Sequence, residues 1–262
     1  MDDILLNNAA VVAAIMLAMW LISIPLRNVS VIDPVWGPGF VAIAWSTYAG
    51  QLPEDRHVML PVLVTIWGMR LGCYLAWRNH GNPEDFRYRA MRERHGHRFV
   101  FVSLFTVFAL QGVVMWLVSL PIQTTGRAPG SWTPFLIVGV IVWLIGFVFE
   151  SVGDWQLAGF RADPANSGKV FNRGLWRYTR HPNYFGDFCV WWGFFLIASA
   201  DGAVWWSAVG PLLMSVFLMK FSGVELLEKS LKSTKPDYTE YANSTSAFFP
   251  WRPRPPKINT SA

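Results

Sequence analysis

TPFLIVGVIVWLIGFVFESV, Thr133 to Val152, carries one ionisable group, Glu150, in its whole length. A helix of roughly 20 apolar residues crosses about 30 Å of hydrocarbon, so this stretch reads as a membrane helix. Comparable stretches recur at about 5–26, 31–50, 58–78, 99–121, 184–200 and 203–222, and the seven together set the fold class. The 262 residues are 53% hydrophobic, 16% aromatic and only 15% charged, too apolar for an ordinary soluble domain. The expectation is an all-α, polytopic integral membrane protein with seven transmembrane helices. Asp187 lies inside the sixth stretch, and Asp201 with Gly202 leaves only a tight turn before the seventh. Asp2 and Asp3, not a basic segment, precede the first stretch, which therefore reads as a retained helix.

Loops rich in Lys and Arg tend to stay cytoplasmic. With the N-terminus outside, the inner side receives Arg27, six arginines between Arg78 and Arg98, five cations from Arg161 to Arg180 and seven from Lys220 onward, nineteen of the 22 Lys and Arg. That asymmetry needs an odd number of spans and puts the C-terminus in the cytoplasm. The net charge of +5 is then a topology signal, and no motif or separate basic domain points to nucleic acid. No internal repeat or low-complexity linker interrupts the chain. It reads as one membrane domain, with residues 1–98 and 99–250 as its two parts and an irregular tail from 251. The intervening polar stretches read as a loop from Arg78 to Arg98 and a longer one from Gly153 to Asn183. After the last span comes a short helix of about Asp237 to Thr245.

Some motifs carry no chemistry. GPGFVA, Gly37 to Ala42, fits a dinucleotide fingerprint, yet that fingerprint works only between a strand and a helix. At the start of a membrane span its glycines read as sites of close helix packing. His95 and His97 sit in an arginine-rich loop with no acid or cysteine at a spacing that closes a metal site. Cys73 and Cys189 lack a CxxC spacing and read as packing residues.

Ionisable groups near spans are functional candidates because hydrocarbon makes them costly. Asp33 opens the second stretch, Glu150 and Asp154 end the fifth, Asp187 enters the sixth, and Glu225 and Glu228 follow the seventh. RYTRHPNYFGD, Arg177 to Asp187, is the densest polar segment. Arg173, Arg177 and Arg180 offer planar forks suited to phosphate oxygens, and His181 and Asn183 can each donate and accept. Tyr178 and Tyr184 suit stacking on a ring or bonding to a ribose. A basic loop on anionic lipid accounts for the arginines but not for the Asn, Tyr and Asp among them.

FNRGLWRYTRHPNYFGD, Phe171 to Asp187, with GDWQLAGFR before it and LLEKSL and TEYANSTSAFFPW after it, resembles the C-terminal half of the steroid 5-alpha-reductase family. DPVWG, Asp33 to Gly37, resembles the start of the second helix in its bacterial DUF1295-type branch. The resemblance implies a seven-helix membrane enzyme that binds NADPH in its cytoplasmic half. Carried over by motif, Asp154, Arg161, Arg173, Tyr178, Arg180, Asn183 and Asp187 contact the cofactor, with Glu225 and Glu228 as further polar contacts. The implied reaction reduces the double bond of an enone such as a 3-oxo steroid entering from the bilayer, with no protein partner required. Asp33 aligns with the acid that holds the ketone. Trp67 aligns with the family's tyrosine, and Tyr74 stands two turns further along the same face. An indole N–H donates a hydrogen bond but does not readily deliver a proton. Sterol reductases and isoprenylcysteine carboxyl methyltransferases share versions of the RHPNYxGD core. An S-adenosylmethionine-dependent lipid or thiol methyltransferase is thus the rival enzyme, and a transporter is the non-enzymatic alternative.

Overall fold

Alanine, leucine, valine and isoleucine without a charge between Asp3 and Arg27 make the first helix, α1 (Asp2–Leu26). The computed structural model describes residues 2–52, 57–126, 134–221, 228, 231, 235 and 237–254. A 3-10 turn (Val29–Val35) leads into α2 (Trp36–Gly50), and α3 (Met59–Asn79) comes next. Beyond it are the arginine-rich α4 (Phe86–His95) and α5, built of Phe99–Ser103, a π-helical segment Leu104–Ala109, and Leu110–Val118. The short α6 (Leu120–Gln123) precedes the long α7 (Pro134–Ala162). The remaining helices are α8 (Pro182–Ala200), α9 (Val209–Val216) and α10 (Tyr238–Ser244). Among the described residues there is no strand, only an isolated parallel bridge between Thr179 and Ser246.

Four helical stretches are long and apolar enough to cross a membrane: Asp2–Leu26, Met59–Asn79, Phe86–Val118 and Pro134–Ala162. Their outward faces carry large apolar side chains such as Leu17, Leu21, Phe105, Ile137, Ile141 and Val148, all more than 45% exposed, a surface suited to lipid. The other three expected stretches are helical too but shorter or more polar. α2 has 15 residues, the eight of α9 lie between a 3-10 turn (Trp205–Ala208) and a π-helical segment (Phe217–Phe221), and the 19 of α8 include Asn183, Tyr184 and Asp187.

The chain falls into two compact units, Met1–Thr133 with Ile197–Gly210, and Pro134–Leu196 with Pro211–Ala262. In the first, α2 crosses α3 where two glycines meet: a Cβ on Gly37 would stand 2.0 Å from the Gly68 carbonyl oxygen. Gly72 packs likewise on Pro38. The glycines of GPGFVA therefore serve close packing. Amphipathic side chains tie α1 to α2 and α5. Asn8 Nδ2 donates to Thr47 Oγ1 at 2.8 Å, the Trp20 indole to the Val100 carbonyl at 2.9 Å and the Trp116 indole to that of Leu5 at 3.0 Å. Each satisfies a donor that would be costly in an apolar interior.

In the second unit, α7 meets α8 at Gly146 and Gly186, where a Cβ on Gly146 would lie 2.6 Å from the Gly186 oxygen. The structure corrects two expectations. The first is the loop from Arg78 to Arg98, which contains helix α4 (Phe86–His95), capped by the Asp85 carboxylate at Arg87 N. The second is a boundary. α7 does not end before Gly153 but runs to Ala162, so Asp154 and Arg161 stand on a helix and the loop after it is shorter than expected. QLAGFRA is made largely of good helix formers, and the buried Asp154 finds a partner in Asn183 at 3.2 Å.

The helix crossing generates a prediction. Gly37→Ala drives a methyl into backbone and should cost about 1–3 kcal/mol, seen as a lower midpoint of thermal unfolding in detergent. Gly159→Ala, with nothing within 4 Å of the added methyl, should leave the midpoint unchanged or raised.

Candidate functional site

The second unit encloses a cavity of about 470 Å³ beneath the end of α7, lined by Leu157, Phe160, Arg161, Phe171, Trp176, Arg180, His181, Lys235, Tyr238 and Tyr241 among others. This lies in the size range of small-molecule sites. Its walls are set by local bonds. Gly174, at φ +58°, lets the 3-10 turn Gly174–Arg177 press against Gln156, whose Oε1 accepts from Leu175 N at 3.0 Å. The Trp176 indole donates to the Gly153 carbonyl at 3.0 Å, and the Tyr241 hydroxyl donates to the Trp176 carbonyl. Phe160 and Phe171 stack at 4.7 Å between centroids, forming a flat apolar wall.

Arg180 joins three parts of the chain. Its Nε and Nη2 engage Glu228 Oε1 at 2.8 and 2.7 Å, and its Nη1 donates to the carbonyls of Ala242 and Thr245 at 2.6 and 2.7 Å. Those carbonyls belong to the C-terminal end of α10, where a cation is favoured. The Arg180 backbone N–H donates to the Ser246 carbonyl at 2.9 Å, and Trp251 N donates to Tyr178 O at 2.9 Å. The fork that sequence spacing offers to phosphate is thus spent on Glu228 and the α10 carbonyls.

Two cations remain on the cavity wall. Arg161 and Lys235 form no ion pair with a carboxylate among the described residues, and Lys235 Nζ donates to the Lys169 carbonyl at 2.5 Å. Burial and the nearby Arg161 charge hold the Lys235 ammonium below its usual range. An anion there relieves that repulsion. Asp163, also on the wall, spends its carboxylate on Ala165 N and Asn166 Nδ2.

On the cavity wall two buried polar atoms lack a well-formed hydrogen bond. The Tyr238 hydroxyl is one, on a residue 3% exposed; burial pushes its pKa up to about 12, so it is a neutral donor. His181 Nε2 is the other, 3.4 Å from Glu228 Oε1, its ring stacked on Tyr184 at 5.4 Å. Burial keeps this imidazole below its ordinary range, against the pull of Glu228. Buried polar atoms left without partners are uncommon and mark places where a ligand can complete the bonding.

Of the sequence-predicted cofactor residues, the structure brings Arg161, Arg180 and His181 to the cavity, with Glu228 behind Arg180 and Tyr184 behind His181. Asp154 and Asn183 bond to each other beside the α7–α8 crossing, and Asp187 lies on α8; none of the three lines the cavity. Arg173 and Tyr178 are exposed and outside it, and Glu225 lies outside the described residues. Sequence reading missed Phe160, Phe171, Trp176, Lys235, Tyr238 and Tyr241. Tyr238 and Tyr241, three apart on a short helix after a basic turn, were the available signal.

The first unit holds a polar cavity of about 590 Å³ lined by Asn28, Ser30, Asp33, Arg78, Asn79, His80, Asn82, Asp85 and Arg87 among others. The turn bearing Asp33 is clamped: Glu84 Oε1 accepts from Val29 N at 2.8 Å, Ser30 Oγ accepts from Asp85 N at 2.8 Å, and Arg92 grips Glu84 with two bonds of 2.9 and 2.7 Å. α2 starts only at Trp36, so Asp33 lies outside the helices that flank it. Burial pushes its carboxyl up to about 6, aided by Asp85 and opposed by Arg87, Arg78 and the Tyr88 hydroxyl. Neither Trp67 nor Tyr74 lines this cavity. Trp67 is 1% exposed and packs on Phe40, and Tyr74 lies under the Arg78 guanidinium at 5.9 Å. The phenol that reaches Asp33 is Tyr88, at 3.4 Å.

The Arg180–Glu228 pair yields a prediction. Burial opposes ionisation of Glu228, but His181 and Arg180 outweigh it and hold the carboxyl below its ordinary 4.5. Its stabilisation is therefore complete above that pH and is lost as pH falls through the folded-state value. Glu228→Ala leaves a buried guanidinium short of its counter-charge and should cost about 3 kcal/mol, with a flatter acid limb in stability measured against pH.

The chain belongs to the DUF1295 family, described as proteins of unknown function, whose family model matches residues 19–245. It is 24% identical over 266 aligned positions to an uncharacterized protein of Schizosaccharomyces pombe, covering 88% of this chain and 75% of that one. No solved structure matches it.

Proposed function

We propose that the protein is an NADPH-dependent reductase of a carbon–carbon double bond conjugated to a ketone, acting on a steroid or another flat apolar enone. In this reading it is a bacterial inner-membrane enzyme with seven spans, its N-terminus outside and its cofactor site facing the cytoplasm, as the distribution of Lys and Arg favours. The observation that carries it is the cavity under α7, where two cations without a carboxylate partner among the described residues stand beside a flat aromatic wall.

The donor set fits a phosphorylated nucleotide. Arg161 and Lys235 bind phosphate oxygens, and Phe160 and Phe171 offer a face to a purine. S-adenosylmethionine, without phosphate, makes no use of the two cations, which weighs against the methyltransferase reading. When bound, NADPH supplies the hydride that the beta carbon of the enone receives. Asp33 holds the ketone oxygen, where negative charge develops and a preorganised donor lowers the barrier most. The carboxyl near pH 6 is close enough to neutrality to donate in its protonated form, and Arg78 and Arg87 favour the anion it becomes.

Two outcomes test this reading. Arg161→Ala and Lys235→Ala should each weaken NADPH binding about 10-fold or more, with NADH affected less, in titrations followed by nicotinamide fluorescence. Equal loss for both nucleotides, or tight binding of S-adenosylmethionine, would remove the reading. Because the protonated form of Asp33 is the donor, kcat/KM for an enone should fall about tenfold per pH unit above about 6, and the pH–rate profile should show that descending limb.

A further inference from the structure

We propose that Trp36, Gln111 and Tyr88 form a one-way hydrogen-bond chain that ends on Asp33 Oδ1 and thereby assigns the proton of the neutral acid to Oδ2. The role given to that proton rests on the reductase reading; the chain itself does not.

Its direction is dictated by which atoms can donate. The Trp36 indole can only donate, and it does so to Gln111 Oε1 at 2.8 Å. That bond fixes the orientation of the amide, so Gln111 Nε2 faces Tyr88 and donates to its oxygen at 3.1 Å. The single Tyr88 proton is then directed to Asp33 Oδ1, a long contact of 3.4 Å. An oxygen that accepts from Tyr88 is the poorer place for a proton of its own. The free proton sits on Oδ2 of a residue that lines the polar cavity with Asn28, Asn79 and Asn82.

The π-helical segment Leu104–Ala109 explains how Gln111 comes to be in reach. A π-turn holds one residue more than an α-turn and rotates the rest of the helix by about 100°. Gln111 is the second residue after that segment, and the extra residue sets the helix face it occupies. π-segments inside α-helices are found often at functional sites.

Every group facing Asp33 bears on its ionisation. Arg87 and Tyr88 come from α4, Asp85 from the turn before it, and Arg78 from the end of α3, with His80 on the same cavity. Tyr88 differs from the others in being a directed donor to one oxygen. It bonds more strongly to the carboxylate than to the acid. Transfer breaks the Oδ2–H bond as a new O–H bond forms on the enolate oxygen, and the remaining carboxylate keeps the Tyr88 bond. Solvent entering the polar cavity returns the proton to Asp33, and the enol product tautomerises to the saturated ketone.

The test needs neither nucleotide nor substrate. Full-length protein labelled with 13C-carboxyl aspartate is titrated in detergent, with the Asp33 signal assigned by its disappearance in Asp33→Asn. Tyr88→Phe should raise the Asp33 midpoint by about one pH unit, and Gln111→Leu, which leaves the phenol in place, by about half as much. An unchanged or lowered midpoint in Tyr88→Phe overturns the proposal. If Tyr88→Phe does not fold, an unchanged midpoint in Gln111→Leu overturns it. Because the readout is the titration of the free protein, failure of the reductase reading leaves it standing, and its own failure leaves NADPH binding untouched.

Discussion

The buried Arg180 guanidinium is the constraint on which the second unit depends. One planar group takes up Glu228 and the carbonyls of Ala242 and Thr245, and the same residue's backbone takes up the Ser246 carbonyl. A buried cation with so many directed bonds leaves the tail few places to go, because each broken bond exposes an unpaired charge to an apolar surround. The tail therefore folds back under α7, and α10 brings Tyr238 and Tyr241 to the cavity. The cavity lies where the tail, held by that guanidinium, meets the end of α7.

The first unit solves a similar problem with different parts. A carboxyl near an apolar helix pair is held by a turn that Glu84 and Arg92 clamp from outside and that Gly37 and Gly68 support from below. Close helix contact keeps the turn rigid, and a rigid turn can hold an acid whose ionisation lies far from its ordinary range. The polar lining beside Asp33 gives that acid a route to solvent, which a purely apolar steroid slot would not.

What was legible in the sequence had a physical reason to be. An apolar stretch such as 133–152, with Glu150 as its single ionisable group, has few ways to fold except as a helix, and the glycines of GPGFVA mark a crossing because only a missing side chain lets backbones meet. The end of α7 was not legible, since Gly153 and Asp154 look like a boundary unless the partner Asn183 is known. Arg180 illustrates a deeper limit: its fork suits phosphate and carboxylate alike, and the deciding carboxylate lies 48 residues downstream. Tyr88 was hidden within an arginine-rich run that reads as solvated surface, although it is 8% exposed and faces inward.

The most direct measurement tracks the hydride. Purified protein is supplied with NADPH deuterated at C4 of the nicotinamide and a 3-oxo steroid enone, and the product is analysed by mass spectrometry and NMR. One deuterium is expected at the beta carbon of the saturated ketone, in amounts that depend on Asp33. Unlabelled product, no turnover with any enone despite bound NADPH, or a methylated product formed with S-adenosylmethionine would contradict it.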